Sequence, residues 1–157
     1  MTGLEGARWR DRSHFHVTLG FFGDMIEPVA AELDIAIGEI EAPQFDLSIE
    51  GVGWFGRKEP SSVFATVKRT PELDVLAREC RRAADRLGVT PDAKPFKPHV
   101  TLAYLNNTAL EAAMAWSERW QVLRAGPWTA DRFHMFESIA RPGKKSAYEP
   151  VAEYPLG

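Results

Sequence analysis

The chain has 157 residues, 45% of them hydrophobic and 11% aromatic, which is the length of one ordinary domain with ample material for a packed core. A net charge of −3 with 26% charged residues provides no global basic field, which excludes tight sequence-independent binding to long nucleic acid but leaves room for a small nucleotide or an RNA end. The lone Cys80 excludes an internal disulfide, no signal-peptide pattern opens the chain and no apolar run approaches the ~18 residues of a membrane span, so a soluble cytoplasmic protein is expected.

Taken in chain order, "FHVTLGFF" is rich in β-formers and predicts a strand over residues 14–21. "EPVAAELDIAIGEI" sets Val29, Leu33, Ile37 and Ile40 at helical spacing behind Pro28, a residue suited to a first helical turn. "FDLSIEGV" and "SSVFATVK" read as two strands joined by a glycine-containing loop. "TPELDVLARECRRAADRLG" predicts a helix with Thr70 as N-cap, Pro71 at the first position, Leu73, Leu76, Cys80, Ala83 and Leu87 inward, and Gly88 as the stop. A strand through "HVTL" at residues 99–102 follows, then a helix over "NTALEAAMAWSERW" capped by Asn107 or Thr108. Two closing strands, "WTADRFHMFESIA" and "AYEPVAEYPL", are separated by the turn signal "RPGKKS".

The tetrapeptide "HVTL" thus occurs twice, at residues 16–19 and 99–102, each time opening a similar succession of elements. A diverged internal duplication within a single domain over residues 1–157 is expected, giving an α+β fold of two related lobes with flanking helices. In a strand, residues two apart share a face at roughly 7 Å of rise. His16 would then share a face with Thr18, and His99 with Thr101; lobes facing each other about a pseudo-twofold axis would bring two imidazoles and two hydroxyls into one pocket. Such a pocket suits in-line displacement at a phosphodiester, with one histidine as base and the other as acid near neutral pH and the threonines donating to non-bridging oxygens. No metal and no cofactor are required.

The paired HxT motifs resemble those of the two-histidine phosphoesterase superfamily, specifically the RNA 2',3'-cyclic phosphodiesterases once called 2'-5' RNA ligases. "GARW", "FFGD", "GVGWFG", "PFKPHVTLA" and "FESIARPGKKSAYEPVAEYPL" follow the family pattern in the same order over almost the whole chain. The resemblance implies a fold of two pseudo-twofold-related sheets, and hydrolysis of a 2',3'-cyclic phosphate on RNA or a nucleotide to a 2'-phosphomonoester. His16 would protonate the leaving 3' oxygen and His99 would activate water, with 2'-5' ligation as a secondary activity.

Two departures qualify the likeness. Relatives often carry arginine where this chain has Tyr104, so Lys97, Arg12, Arg57 or Lys58 is expected to supply the phosphate contact. One strand-helix unit that usually precedes "GARW" is not in this sequence, so either the true start lies further upstream or the protein tolerates an open sheet edge, with a homodimer or strand exchange through it as the expectation in that second case. Phe96, within "PFKPH", is a candidate to stack on a base as well as an ordinary core residue. His14 shares the expected His16 face, where a supporting hydrogen bond is favoured over metal ligation, and His134 reads as a surface histidine. Two other functions compete: a phosphate-terminus binder without turnover, and a metal hydrolase using His14, His16 and His99.

Overall fold

The computed structural model describes residues 3–157, except for the side chains at positions 144–146. The fold is mixed α+β. Among the described residues it contains a five-stranded sheet of order Ala7–Trp9, His99–Leu105, Pro60–Val67, Phe45–Gly56 and Arg124–Ala130, a two-stranded ribbon and three α-helices. The chain divides into two compact units, each assembled from three separate segments: residues 1–19, 47–69 and 96–128 form the first, and 20–46, 70–95 and 129–157 the second. The division is therefore interleaved and does not follow the sequence halves.

The first unit is built on the larger sheet, which joins β1 (Ala7–Trp9), β2 (Phe45–Gly56), β3 (Pro60–Val67), β4 (His99–Leu105) and β5 (Arg124–Ala130). β3 lies at its centre, antiparallel to both β2 and β4. Val63, Phe64, Ala65 and Val67 are all buried, so this central strand is covered on both faces and does not alternate between buried and exposed residues. Helix α3 (Leu110–Trp120) packs against β3. Trp9, Ala103 and Val63 stand in register across β1, β4 and β3, and the Trp9 ring lies 6.0 Å from that of Trp116, which marks the helix-covered face. The opposite face carries the polar side chains described below.

The N-terminus of α3 corrects the sequence expectation. Ala109 is its N-cap and no side chain caps it, because Asn107 adopts a left-handed backbone (φ 52°) and the Thr108 hydroxyl instead donates to the Glu5 carbonyl at 2.8 Å. Gly6 has to be glycine beside this tie: a Cβ there would sit 2.2 Å from the Asn106 carbonyl oxygen.

The second unit packs α1 (Glu27–Gly38) against α2 (Pro71–Arg86) and against β7 (Lys144–Pro155), the partner of β6 (Arg132–Arg141). Leu33, Ile37, Leu73, Leu76, Cys80 and Ala83 are buried as the helical spacings require. The Tyr154 hydroxyl donates to Asp34 at 2.6 Å; burial first, and the neighbouring carboxylate second, push its pKa up and keep that proton in place. β6 and β7 meet at Pro142-Gly143, with Gly143 at φ 69°, the arrangement that favours proline then glycine in a turn. Burial also pushes the Cys80 thiol up to about 12. We expect iodoacetamide to leave Cys80 unmodified in the folded protein at neutral pH and to label it in urea, as read by mass spectrometry.

Helix α2 begins as its sequence dictates. The Thr70 hydroxyl accepts from the Leu73 amide at 3.2 Å and Pro71 occupies the first turn. Thr70→Ala should destabilise the protein by about 1 kcal/mol and Thr70→Ser by much less, measured as a shift in the urea midpoint.

Candidate active site

His99 opens β4, and its ring is fixed from two directions. Its Nδ1 lies 2.5 Å from the Lys97 carbonyl, and since a carbonyl can only accept, Nδ1 carries the hydrogen. In the neutral imidazole the basic atom is therefore Nε2. The ring meets Phe55 edge-on at 4.9 Å and Phe64 at 5.2 Å, while the Lys97 ammonium lies 5.3 and 5.1 Å from the centroids of the same two phenyls. Phe64 fits there because Gly53 lies opposite it: a Cβ on Gly53 would stand 2.6 Å from the Phe64 ring.

The first motif is seated by different local structure. Asp11 accepts from the Ser13 amide at 2.8 Å and the Ser13 hydroxyl at 2.7 Å, capping a 3-10 turn over Arg12–His14. Those hydrogen bonds hold the Asp11 carboxyl below its ordinary range, with the side-chain bond the larger cause. A lowered pKa stabilises the turn above the ordinary value and releases it as pH falls through the lower one, so the turn is intact at neutral pH. The turn presents the His14 carbonyl to His16 Nδ1 at 2.8 Å. His14 thus supports His16 through its backbone. Both HxT histidines use the same device, an Nδ1–H donated to the carbonyl two residues upstream.

The strand expected over residues 14–21 does not form. Residues 15–26 run without regular secondary structure, and the main-chain bonds near the motif are turn bonds such as Phe15 N–H to the Arg12 carbonyl at 3.1 Å. Lacking a neighbouring strand, β-forming side chains have no ladder to join. His16 and Thr18 are exposed there, and the strand argument for their common face no longer applies. Both nonetheless belong to the same compact unit as His99 and Thr101, whereas one motif per lobe was expected.

On β4 the expectation holds and extends. Thr101 stands opposite Phe64, and His99 opposite Thr66. Between them and the strand end a register shift inserts Leu102, so that Ala103 meets Val63 and Tyr104 meets Ser62. Ser62, Phe64 and Thr66 share one face of β3, so the bulge turns Tyr104 onto the face of His99 and Thr101. Strict alternation would have placed it on the other. From β1, Arg8 stands opposite Tyr104, and the Arg10 guanidinium lies 5.3 Å from the Tyr104 ring centroid with Nη1 donating to its hydroxyl at 3.0 Å.

Phe96 is half-buried, with the Arg69 guanidinium 5.5 Å over its ring and donating to its carbonyl at 2.9 Å. His134 is a surface residue whose Nε2 lies 3.2 Å from Glu153. Among the described residues no three His, Cys, Asp or Glu side chains are grouped to hold a metal ion. Sequence reasoning missed Phe55 and Phe64 as the seat of His99, and Arg10 as the partner of Tyr104; positions 8, 10 and 12 are all arginine, a spacing that puts them on one face of an extended segment without indicating Tyr104.

Comparison with known proteins gives a consistent picture. A family model described as the 2'-5' RNA ligase superfamily matches residues 2–141. An RNA 2',3'-cyclic phosphodiesterase of Aeropyrum pernix is 37% identical over 92 residues, covering 57% of this chain and 52% of that protein. One from Geobacillus stearothermophilus is 28% identical over 162 residues, covering 94% of this chain and 47% of its own length. The chain thus spans about half the length of these two curated relatives. Escherichia coli LigT, solved in complex with 3'-AMP, is 26% identical with a TM-score of 0.75 over 97% of this chain and 82% of that one.

Proposed function

The chain belongs to the 2'-5' RNA ligase superfamily, and from that premise we propose that it hydrolyses the 2',3'-cyclic phosphate of an RNA end or a small nucleotide to a 2'-phosphomonoester. The observation that carries the reading is the repeated seat: in each HxT motif Nδ1–H is donated to a backbone carbonyl, which reserves Nε2 for proton transfer. In the proposed reaction His99 Nε2 takes a proton from water as the water oxygen bonds to phosphorus. The bond from phosphorus to the 3' oxygen breaks, and His16 Nε2–H delivers a proton to that oxygen. Thr18 and Thr101 donate to the non-bridging oxygens as negative charge gathers there. Phe96 is proposed as a wall for the base. The relatives named as cyclic phosphodiesterases and the nucleotide held by LigT support this substrate class.

Incubating the protein with 2',3'-cyclic AMP and with an oligoribonucleotide bearing a cyclic phosphate, in EDTA, tests it. Turnover to the 2'-phosphate should persist; binding without turnover would make the protein a phosphate-end binder, and activity lost to EDTA would point to a metal hydrolase. The reading treats residues 1–157 as one functional domain and places its action in the cytoplasm, in keeping with a single buried cysteine. Among the described residues no helix is long and apolar enough to cross a membrane. The ribbon β6-β7 has no further strand beside it among the described residues, and a second copy pairing on that edge would form a homodimer, readable by light scattering.

A further inference from the structure

We infer that Arg10, set in place by Tyr104, is the cation that binds the substrate phosphate of this protein, and that Tyr104 is its positioning residue. The inference rests on the reading of His99 and Thr101 as the phosphate site and extends it to a residue just past the end of β1, outside the strand that carries them. Three observations carry it. The bulge at Leu102 turns Tyr104 onto the His99 and Thr101 face, so whatever Tyr104 holds is held on that side of the sheet. The Arg10 guanidinium is fixed there twice, by Nη1 donating to the Tyr104 hydroxyl at 3.0 Å and by its position 5.3 Å from the ring centroid. Its backbone is pinned as well, since the Arg10 amide donates to the Leu102 carbonyl at 2.8 Å, tying β1 to the bulge itself.

The charge is also left without a counterion. Among the described residues no carboxylate pairs with Arg10, and its Nε is buried without an acceptor. A half-buried guanidinium held only by a phenol has given up water without gaining an anion, a cost that an incoming phosphate removes. The planar fork suits that role, because stacking and the single bond to Tyr104 occupy one edge and leave other N–H groups for oxygen. Arg8, directly opposite Tyr104, adds a second positive charge beside an open depression of about 310 Å³ that it lines with Gly6, Tyr104, Leu105 and Asn106.

Calorimetric titration with adenosine 2'-monophosphate tests the assignment. Arg10→Ala should weaken binding roughly 10- to 100-fold and flatten its dependence on salt, while melting near the wild-type temperature. Arg10→Lys should recover only part, since an ammonium lacks the fork. The double variant Arg10→Ala/Tyr104→Arg, which returns a guanidinium to the same face from the neighbouring strand, should bind nearly as wild type does. Unchanged affinity and salt dependence in Arg10→Ala would overturn the proposal. Hydrolysis of the cyclic phosphate is assayed on the same preparations, and the two claims separate: no turnover with binding still dependent on Arg10 removes only the hydrolytic reading, whereas turnover with binding indifferent to Arg10 removes only this one.

Discussion

Replacing His99 with asparagine is expected to lower kcat for 2',3'-cyclic AMP by at least about 10² to 10⁴-fold without loss of fold. Asparagine keeps an N–H that can reach the Lys97 carbonyl, so the seat that fixes the imidazole survives while the proton-transfer atom disappears. His99→Ala removes both. The two variants should therefore be equally inactive but unequal in melting temperature, with alanine the lower because the gap between Phe55 and Phe64 is left empty. His16→Asn should show a similar loss of turnover. The double variant should lose little more than either single one, since the proposed acid and base act in one transition state and their removals do not add. Wild-type turnover in His99→Asn would end the assignment of His99 as base.

The two copies of "HVTL" show how much of this structure a local reading can reach. In β4 the tetrapeptide is a strand because β3 and β1 lie on either side of it; at residues 16–19 the same letters form no strand. Strand formation is a property of neighbours, which no window of sequence contains. Helix α2 lies at the other extreme: its cap, its first-turn proline and the stop at Gly88, where φ is 73°, are all local, and the structure repeats them. The single strand expected over "WTADRFHMFESIA" is divided at Asp131 into the end of β5 and nearly all of β6; the start of β5 escaped notice because "RAGPWTA" contains a glycine-proline pair that reads as a turn, yet proline is tolerated on an edge strand, and β5 is one.

The site divides in the same way. The common face of His99 and Thr101 was legible from their spacing, since β4 is regular between them. Tyr104 was recognised as a departure from the family pattern, but its face depends on a bulge three residues long in its consequences, and its partner Arg10 on the β1-β4 register. Lys97, one of the four cations expected near phosphate from the sequence, has its ammonium against Phe55 and Phe64, beside the histidine. Aromatic seats of this kind leave no polar signature in a sequence, because a phenylalanine that supports an imidazole looks like any other core residue.

That seat yields the largest stability effect. Phe64 is 1% exposed, with Phe55 at 4.4 Å between ring centroids and His99 at 5.2 Å. Phe64→Ala should cost roughly 3–5 kcal/mol and lower the melting midpoint by roughly 6–20 °C. Gly53→Ala should destabilise by about 1–3 kcal/mol for the opposite reason, since its new methyl group meets the Phe64 ring at 2.6 Å and a ring so enclosed cannot swing away. Combined, the two changes should not add. The alanine methyl enters space that the phenyl has vacated, so Gly53→Ala in the Phe64→Ala background should cost close to nothing, a coupling of about 1–3 kcal/mol in a thermal or urea double-mutant cycle. Turnover should fall in Phe64→Ala even well below its midpoint, because His99 loses one of its two walls. Additive losses would mean that the ring yields to the methyl group and that His99 is held in place by its hydrogen bond to the Lys97 carbonyl alone.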